Sequence, residues 1–133
     1  MPVTVRYIVN DMDAAIAFYT DKLGFELVMH PAPPFAMLSL GDLRLALSQP
    51  NSSGGGGQSM GGRQPEPGGW NRFQVEVPDL EATVAKLKAA GNTSFRSDII
   101  TGIGGKQIVI DDPSGNPVEL FEYLPAGNEA RGR

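Results

Sequence analysis

From Val3 to Val9, VTVRYIV, the chain alternates with period two and then stops at Asn10-Asp11. Successive side chains on a strand point to opposite faces, so the segment predicts a strand with Val5, Tyr7 and Val9 on the buried side and Thr4, Arg6 and Ile8 on the other. At Asp11 the spacing becomes helical. Asp11 is a cap, Met12, Ala15, Ile16, Tyr19 and Leu23 form one apolar stripe through about Lys22, and Gly24 suits the left-handed end. Three short strands follow, Phe25 to Met29, Phe35 to Leu40 and Leu43 to Ser48, the last two joined by a Gly41-Asp42 turn.

The same order then returns. Residues 4–17, TVRYIVNDMDAAIA, match residues 72–85, RFQVEVPDLEATVA, with identity at Val9/Val77, Asp11/Asp79, Ala14/Ala82 and Ala17/Ala85. An internal repeat constrains the whole fold. The second copy predicts a strand from Arg72 to Val77, a helix from Asp79 to about Ala90 closed by Gly91, and strands at Thr93 to Ser97, Lys106 to Ile110 and Val118 to Tyr123, with a turn at DDPSGN. Between the copies, NSSGGGGQSMGGRQPEPGG has almost no apolar residue, which reads as a flexible linker or surface loop. No GK[ST] follows it, so a phosphate cradle is not indicated. The expected organisation is one domain over 1–133: module one at 3–49, linker at 50–69, module two at 70–124, and a polar, frayed tail at 125–133.

At 133 residues with 41% hydrophobic and 20% charged positions, the chain suits one soluble globular domain. It lacks a long apolar run, and its start lacks the features of a signal peptide, so a cytoplasmic location is expected. Cysteine is absent and His30 is the single histidine, which removes disulfides, thiolate nucleophiles and thiolate metal sites. A net charge of −4 argues against nucleic acid as a partner, because phosphate binding needs a basic face.

The segments NDMDAAIAFYTDKLGFEL, FQVEVPDLEATVAKLKAAG and DDPSGNPVELFEY together resemble the vicinal oxygen chelate superfamily, which includes glyoxalase I, bleomycin-resistance proteins and extradiol dioxygenases. The resemblance covers the chain apart from the glycine-rich segment and the tail. It implies an α+β fold of two tandem βαβββ modules forming a curled mixed sheet around a cavity, in a homodimer. In metal-dependent members it implies four ligands, which fall here on Thr4, Ala46, Arg72 and Glu119. The family's histidines stand seven residues before each capping aspartate, where this chain has Thr4 and Arg72. Alanine offers no donor, threonine is a poor ligand and arginine repels a divalent ion. No metal and no cofactor are therefore expected.

Strand parity gives the residues that face the implied cavity: Thr4 and Arg6 on the first strand, Arg44, Ala46 and Ser48 on the fourth, Arg72, Gln74 and Glu76 on the fifth, and Glu119 and Phe121 on the last. Candidate ligand-binding residues are Thr4, Arg6, Arg44, Ser48, Arg72, Gln74 and Phe121, with Glu119 as the candidate catalytic residue. Each has a structural alternative. Arg72 and Glu119 pair with each other or serve a ligand; Arg6 and Arg44 serve a ligand, a dimer interface or solvent. His30, in HPAPPF, is a loop residue or a rim residue, and Trp70 is an anchor or a stacking wall. Glu76 and Glu122 read as solvated.

Three functions fit. The first is a metal-independent small-molecule binding protein with an anionic ligand, because guanidinium matches carboxylate geometry. The second is a glyoxalase-like lyase or isomerase acting on a small carbonyl compound, with Glu119 as base or sole retained metal ligand. The third is a structural or regulatory protein with an empty cavity. A small molecule is the expected partner, with neither nucleic acid nor membrane.

Overall fold

The computed structural model describes residues 2–51 and 55–125. Its first module runs through strand β1 (Thr4–Ile8), helix α1 (Met12–Ala17) and strands β2 (Glu26–Ala32), β3 (Phe35–Leu40) and β4 (Leu43–Ser48). They form a four-stranded sheet in the order β1-β4-β3-β2, parallel between β1 and β4 and antiparallel elsewhere. The helical crossover returns the chain in the direction of β1, and two hairpin reversals then leave β4 parallel to it.

The Asp11 carboxylate caps α1 by accepting the Ala14 N–H at 3.0 Å. The chain then widens into a π-type turn at Phe18–Lys22. That turn lets two successive aromatic residues, Phe18 and Tyr19, both enter the core, where Tyr19 packs edge-on against Phe18 at 5.0 Å and Phe25 at 5.3 Å. Around them lie Val9, Met12, Ala15, Leu38, Leu45 and Leu47, all buried. β2 runs past its expected end at Met29 to Ala32, with register irregularities on the way. It is an edge strand of this sheet, the place where a residue without an N–H such as Pro31 is tolerated.

The chain forms two compact units. One extends to Gly69 and includes Asp112–Asn116; the other spans Trp70–Asp111 and resumes at Pro117. In the first unit Asp112 is 4% exposed and its carboxylate accepts four hydrogen bonds. Oδ1 takes the N–H groups of Ser114 and Asn116, each at 2.9 Å; Oδ2 takes the Tyr19 hydroxyl at 2.8 Å and the Asn116 side-chain amide at 3.0 Å. The Asn116 amide also donates to the Ile8 carbonyl at 2.7 Å.

Burial, and then the charge and hydrogen bond of Asp112, push the Tyr19 hydroxyl far above the usual tyrosine range. A raised folded-state value means that the native protein keeps a proton the unfolded chain releases. This contribution is complete below the unfolded tyrosine value of about 10 and is lost above it, by about 1.4 kcal/mol per pH unit. Urea denaturation between pH 9 and pH 11.5 is expected to show that decline, flattened in Tyr19→Phe; equal slopes for the two proteins would refute the assignment.

Between the two modules in sequence, the glycine-rich segment has more internal bonding than the composition suggests. Gly55–Gly57 forms a 3-10 turn with Gly57 buried. Asn51, at φ 55, donates its backbone N–H to the Gly57 carbonyl at 2.6 Å and its side-chain amide to Gln64 at 2.9 Å. Gly68 N–H donates to Asn116 Oδ1 at 2.8 Å. Polar side chains supply the anchoring that apolar packing does not. Ser52–Gly54 of the expected linker and 126–133 of the expected tail lie outside the described residues.

The second unit repeats the plan. Strand β5 (Gln74–Glu76), helix α2 (Leu80–Ala90) and strands β6 (Ser94–Phe95), β7 (Ile100–Thr101), β8 (Gly105–Asp111) and β9 (Pro117–Tyr123) give the order β5-β9-β8-β6, with β7 also on β8 and the β5-β9 pair parallel. Asp79 caps α2 through the Ala82 N–H at 3.0 Å, and Gly91 ends it at φ 75. Leu80, Val84 and Leu87 are buried with Ile108, Ile110, Val118 and Leu120. Glu122, expected in solvent, accepts the Leu80 N–H at 2.7 Å. Its parity with Val118 and Leu120 directs it to the helix side, where its carboxylate meets the positive end of α2. Among the described residues no helix is long and apolar enough to cross a membrane.

Candidate functional site

Register defines the face of the second sheet that carries Glu119. Gln74 lies opposite Glu119 and Glu76 opposite Phe121, while Val109 lies opposite Glu119 from the other side. Arg96 continues β6 opposite Val109, to whose carbonyl its N–H donates at 2.9 Å. Opposed residues share a face, so Gln74, Glu119, Val109, Arg96, Phe121 and Asp111 stand on the side away from Ile108, Ile110, Val118 and Leu120.

Glu119, 8% exposed, is the centre of this face. Its Oε1 accepts from Arg72 Nε at 2.9 Å and lies 2.9 Å from Arg72 Nη2; its Oε2 accepts from Gln74 Nε2 at 2.7 Å. Arg72 Nη1 donates to the Trp70 carbonyl at 3.2 Å. A guanidinium has five N–H donors, so the outer edge of Arg72 keeps two for another acceptor. The Arg72 side chain is 27% exposed and that of Glu119 10%, so solvent meets the cation rather than the carboxylate.

A second ion pair stands beside the first. Arg96 Nε donates to Asp111 Oδ1 at 2.8 Å, both side chains being less than a fifth exposed, and the guanidinium lies 4.5 Å from the Trp70 ring centroid. Trp70 is 70% exposed, with its carbonyl held by Arg72 and its ring against Arg96. Phe121 packs edge-on against Tyr123 at 4.8 Å. A Cβ at Gly105 would strike the Glu122 carbonyl and stand 2.6 Å from the Phe121 ring, so a side chain at 105 would displace both strand backbone and ring.

On the first sheet, Arg6 is exposed and its Nη1 donates to Ser48 Oγ at 3.2 Å; Ser48 is 2% exposed and Ala46 fully buried. The turn at Gly56 covers them, since a Cβ there would strike the Arg6 guanidinium and lie 2.7 Å from Ser48 Oγ. Thr4 and Arg44 are register partners and exposed. Arg44 opens on a cavity of about 550 Å³ that Val3, Ser39 and Asp42 also line. His30 lies in β2, not in a loop, and lines a separate cleft of about 600 Å³ with Asn10, Asp11 and Gln49.

Within the second unit the structure thus brings together Arg72, Gln74 and Glu119, and within the first Arg6 with Ser48 and Thr4 with Arg44. Phe121 shares the face of Glu119 one register step away. Sequence reasoning missed Arg96 and Asp111. The signal available was parity: Asp111 is in phase with Val109, which Arg96 faces across the β6-β8 pair.

The metal that the resemblance implies does not fit these residues. Ala46 lacks a donor atom, the Thr4 hydroxyl binds weakly, Arg72 brings a positive charge, and both Glu119 oxygens already accept from Arg72 and Gln74. Among the described residues Asp79, Glu81 and Glu122 also cluster, but Lys106 Nζ lies 2.7 Å from Glu81 and 3.9 Å from Glu122, so a cation of the chain itself already serves two of the three.

The chain matches, over residues 2–120, the family model described as the Glyoxalase/Bleomycin resistance protein/Dioxygenase superfamily. It is 31% identical over 130 residues to a probable chloroplastic lactoylglutathione lyase of Arabidopsis thaliana, covering 91% of this chain and 35% of that protein. The chain therefore spans about a third of the length of that relative. It is 26% identical over 125 residues to a bleomycin resistance protein of Geobacillus stearothermophilus, covering 87% of this chain and 92% of the other. A solved member of the superfamily from Sphaerobacter thermophilus superposes with a TM-score of 0.73 at 25% identity, covering 92% of this chain and 96% of that one.

Proposed function

The chain belongs to the glyoxalase/bleomycin resistance protein/dioxygenase superfamily, and on that premise we propose that it is a metal-independent small-molecule binding protein whose ligand is anionic. The observation that carries this reading is the Arg72–Glu119 pair. Glu119 and the Trp70 carbonyl fix the guanidinium, so its outward N–H groups are held in place for an acceptor before a ligand arrives. A pre-set guanidinium fork recognises a carboxylate with two parallel hydrogen bonds and little ordering cost. Arg6 and Arg44 add exposed positive charge on the first sheet, with Thr4 and Ser48 as polar neighbours. On the second sheet, Gln74 holds Glu119 in place and Phe121 supplies an apolar wall.

The name of the Geobacillus relative favours binding, and that of the Arabidopsis relative favours a lyase. Glu119 as a base would have to work through Oε2, which accepts from Gln74, since Arg72 Nε and Nη2 both stand on Oε1. The same reading takes the protein as a cytoplasmic homodimer with a small-molecule partner, and with neither nucleic acid nor membrane, in keeping with its charge of −4.

Elemental analysis of protein purified without chelator, together with dialysis against zinc and nickel, tests the metal-free site. No stoichiometric metal is expected, and Glu119→Ala is expected to leave the metal content unchanged. One metal ion per chain, lost in Glu119→Ala, would contradict the proposal.

A further inference from the structure

We infer that the second sheet carries a stacking platform, Trp70, which selects a planar aromatic ring bearing the anionic group that Arg72 takes. The inference rests on the anion-binding reading above and narrows its ligand class. Trp70 is an exposed large aromatic side chain held in a fixed setting. Its carbonyl is bound by Arg72 at 3.2 Å, and its ring lies 4.5 Å from the Arg96 guanidinium, itself bound to Asp111 at 2.8 Å.

An indole held against a guanidinium on one side and 70% exposed overall has its other surface available for contact. The cation draws electron density toward itself, so the open surface meets a ring that carries negative charge with less repulsion. Arg72 Nη1 donates to the Trp70 carbonyl at 3.2 Å, so the guanidinium and the indole belong to one short, mutually bonded segment. A flat ring with an attached carboxylate engages both; a puckered ring of the same size reaches the guanidinium but stacks poorly. Nothing about the fold requires an exposed tryptophan here, since the buried side chains of this unit come from α2, β8 and β9.

Trp70 is the single tryptophan of the chain, so its indole N–H gives one resolved nuclear magnetic resonance signal. The probes are benzoate, cyclohexanecarboxylate and benzyl alcohol, titrated into the full-length protein. Benzoate is expected to shift the indole signal and to bind several-fold, up to about tenfold, more tightly than cyclohexanecarboxylate, the range of an aromatic pair. Benzyl alcohol, lacking the charge, is expected to bind more weakly than either. Trp70→Leu should erase the benzoate advantage while leaving cyclohexanecarboxylate unchanged, and Trp70→Phe should keep part of it. Equal affinities of the two carboxylates, with Arg72→Met still abolishing both, would overturn the platform and leave the anion site standing. Absence of binding by either carboxylate would overturn both.

Discussion

Asp112→Ala is expected to lower the unfolding free energy by about 4 kcal/mol, the largest effect of any single change considered. The substitution removes the acceptor of four hydrogen bonds, donated by the Ser114 and Asn116 N–H groups, the Asn116 amide and the Tyr19 hydroxyl; the Asn116 amide keeps the Ile8 carbonyl. Each buried donor left without a partner costs roughly 1–3 kcal/mol, and water reaching the Ser114 end recovers part of the sum. A small domain is stable by only about 5–15 kcal/mol, so the variant stands near the edge of folding. Asp112→Asn keeps one acceptor oxygen and is expected to lose about half as much, and Tyr19→Phe, which strands no donor, less again. Urea unfolding of the three variants checks the order. A loss under about 1 kcal/mol for Asp112→Ala would show that the network is not what closes the DDPSGN turn.

The second large effect concerns the Arg72–Glu119 pair. Arg72→Met leaves a carboxylate that is 10% exposed with Gln74 as its remaining partner, and Glu119→Gln leaves a guanidinium without its main acceptor. Breaking a fully buried pair costs roughly 3–5 kcal/mol; with Arg72 27% exposed, about 2 kcal/mol is the expected loss for Arg72→Met. The double variant is expected to recover much of that loss, because both charges leave together. Additive losses in the double-mutant cycle would show that the two residues do not interact.

Much of this arrangement is legible in the sequence because period and capping are local. β3 and β4 coincide with the expected Phe35 to Leu40 and Leu43 to Ser48, since two apolar-rich runs flanking a short Gly41-Asp42 turn fix the hairpin register. Asp11 and Asp79 cap their helices as expected, and Arg72 meets Glu119 because the repeat places β5 beside β9. What the pattern hides depends on tertiary partners. The π-type turn at Phe18–Lys22 exists to bury two adjacent aromatics, which helical periodicity does not anticipate. β7 has two residues and borrows its regularity from β8. Ser48 is nearly as buried as Leu45 and Leu47 because Arg6 stands over it together with the Gly56 turn, which belongs to a segment whose composition suggests no packing. The Arg96–Asp111 pair joins two strands of a hairpin whose near strand is only two residues long, too short to reveal its phase.

The central claim is that Arg72, fixed by Glu119, binds an anion without a metal. Calorimetric titration of the chelator-treated protein with a small carboxylate tests it most directly, run in the presence of chelator and repeated with Arg72→Met. The account predicts saturable binding under chelator that Arg72→Met abolishes. Binding that appears only when zinc or nickel is restored, or that survives Arg72→Met unchanged, would contradict it.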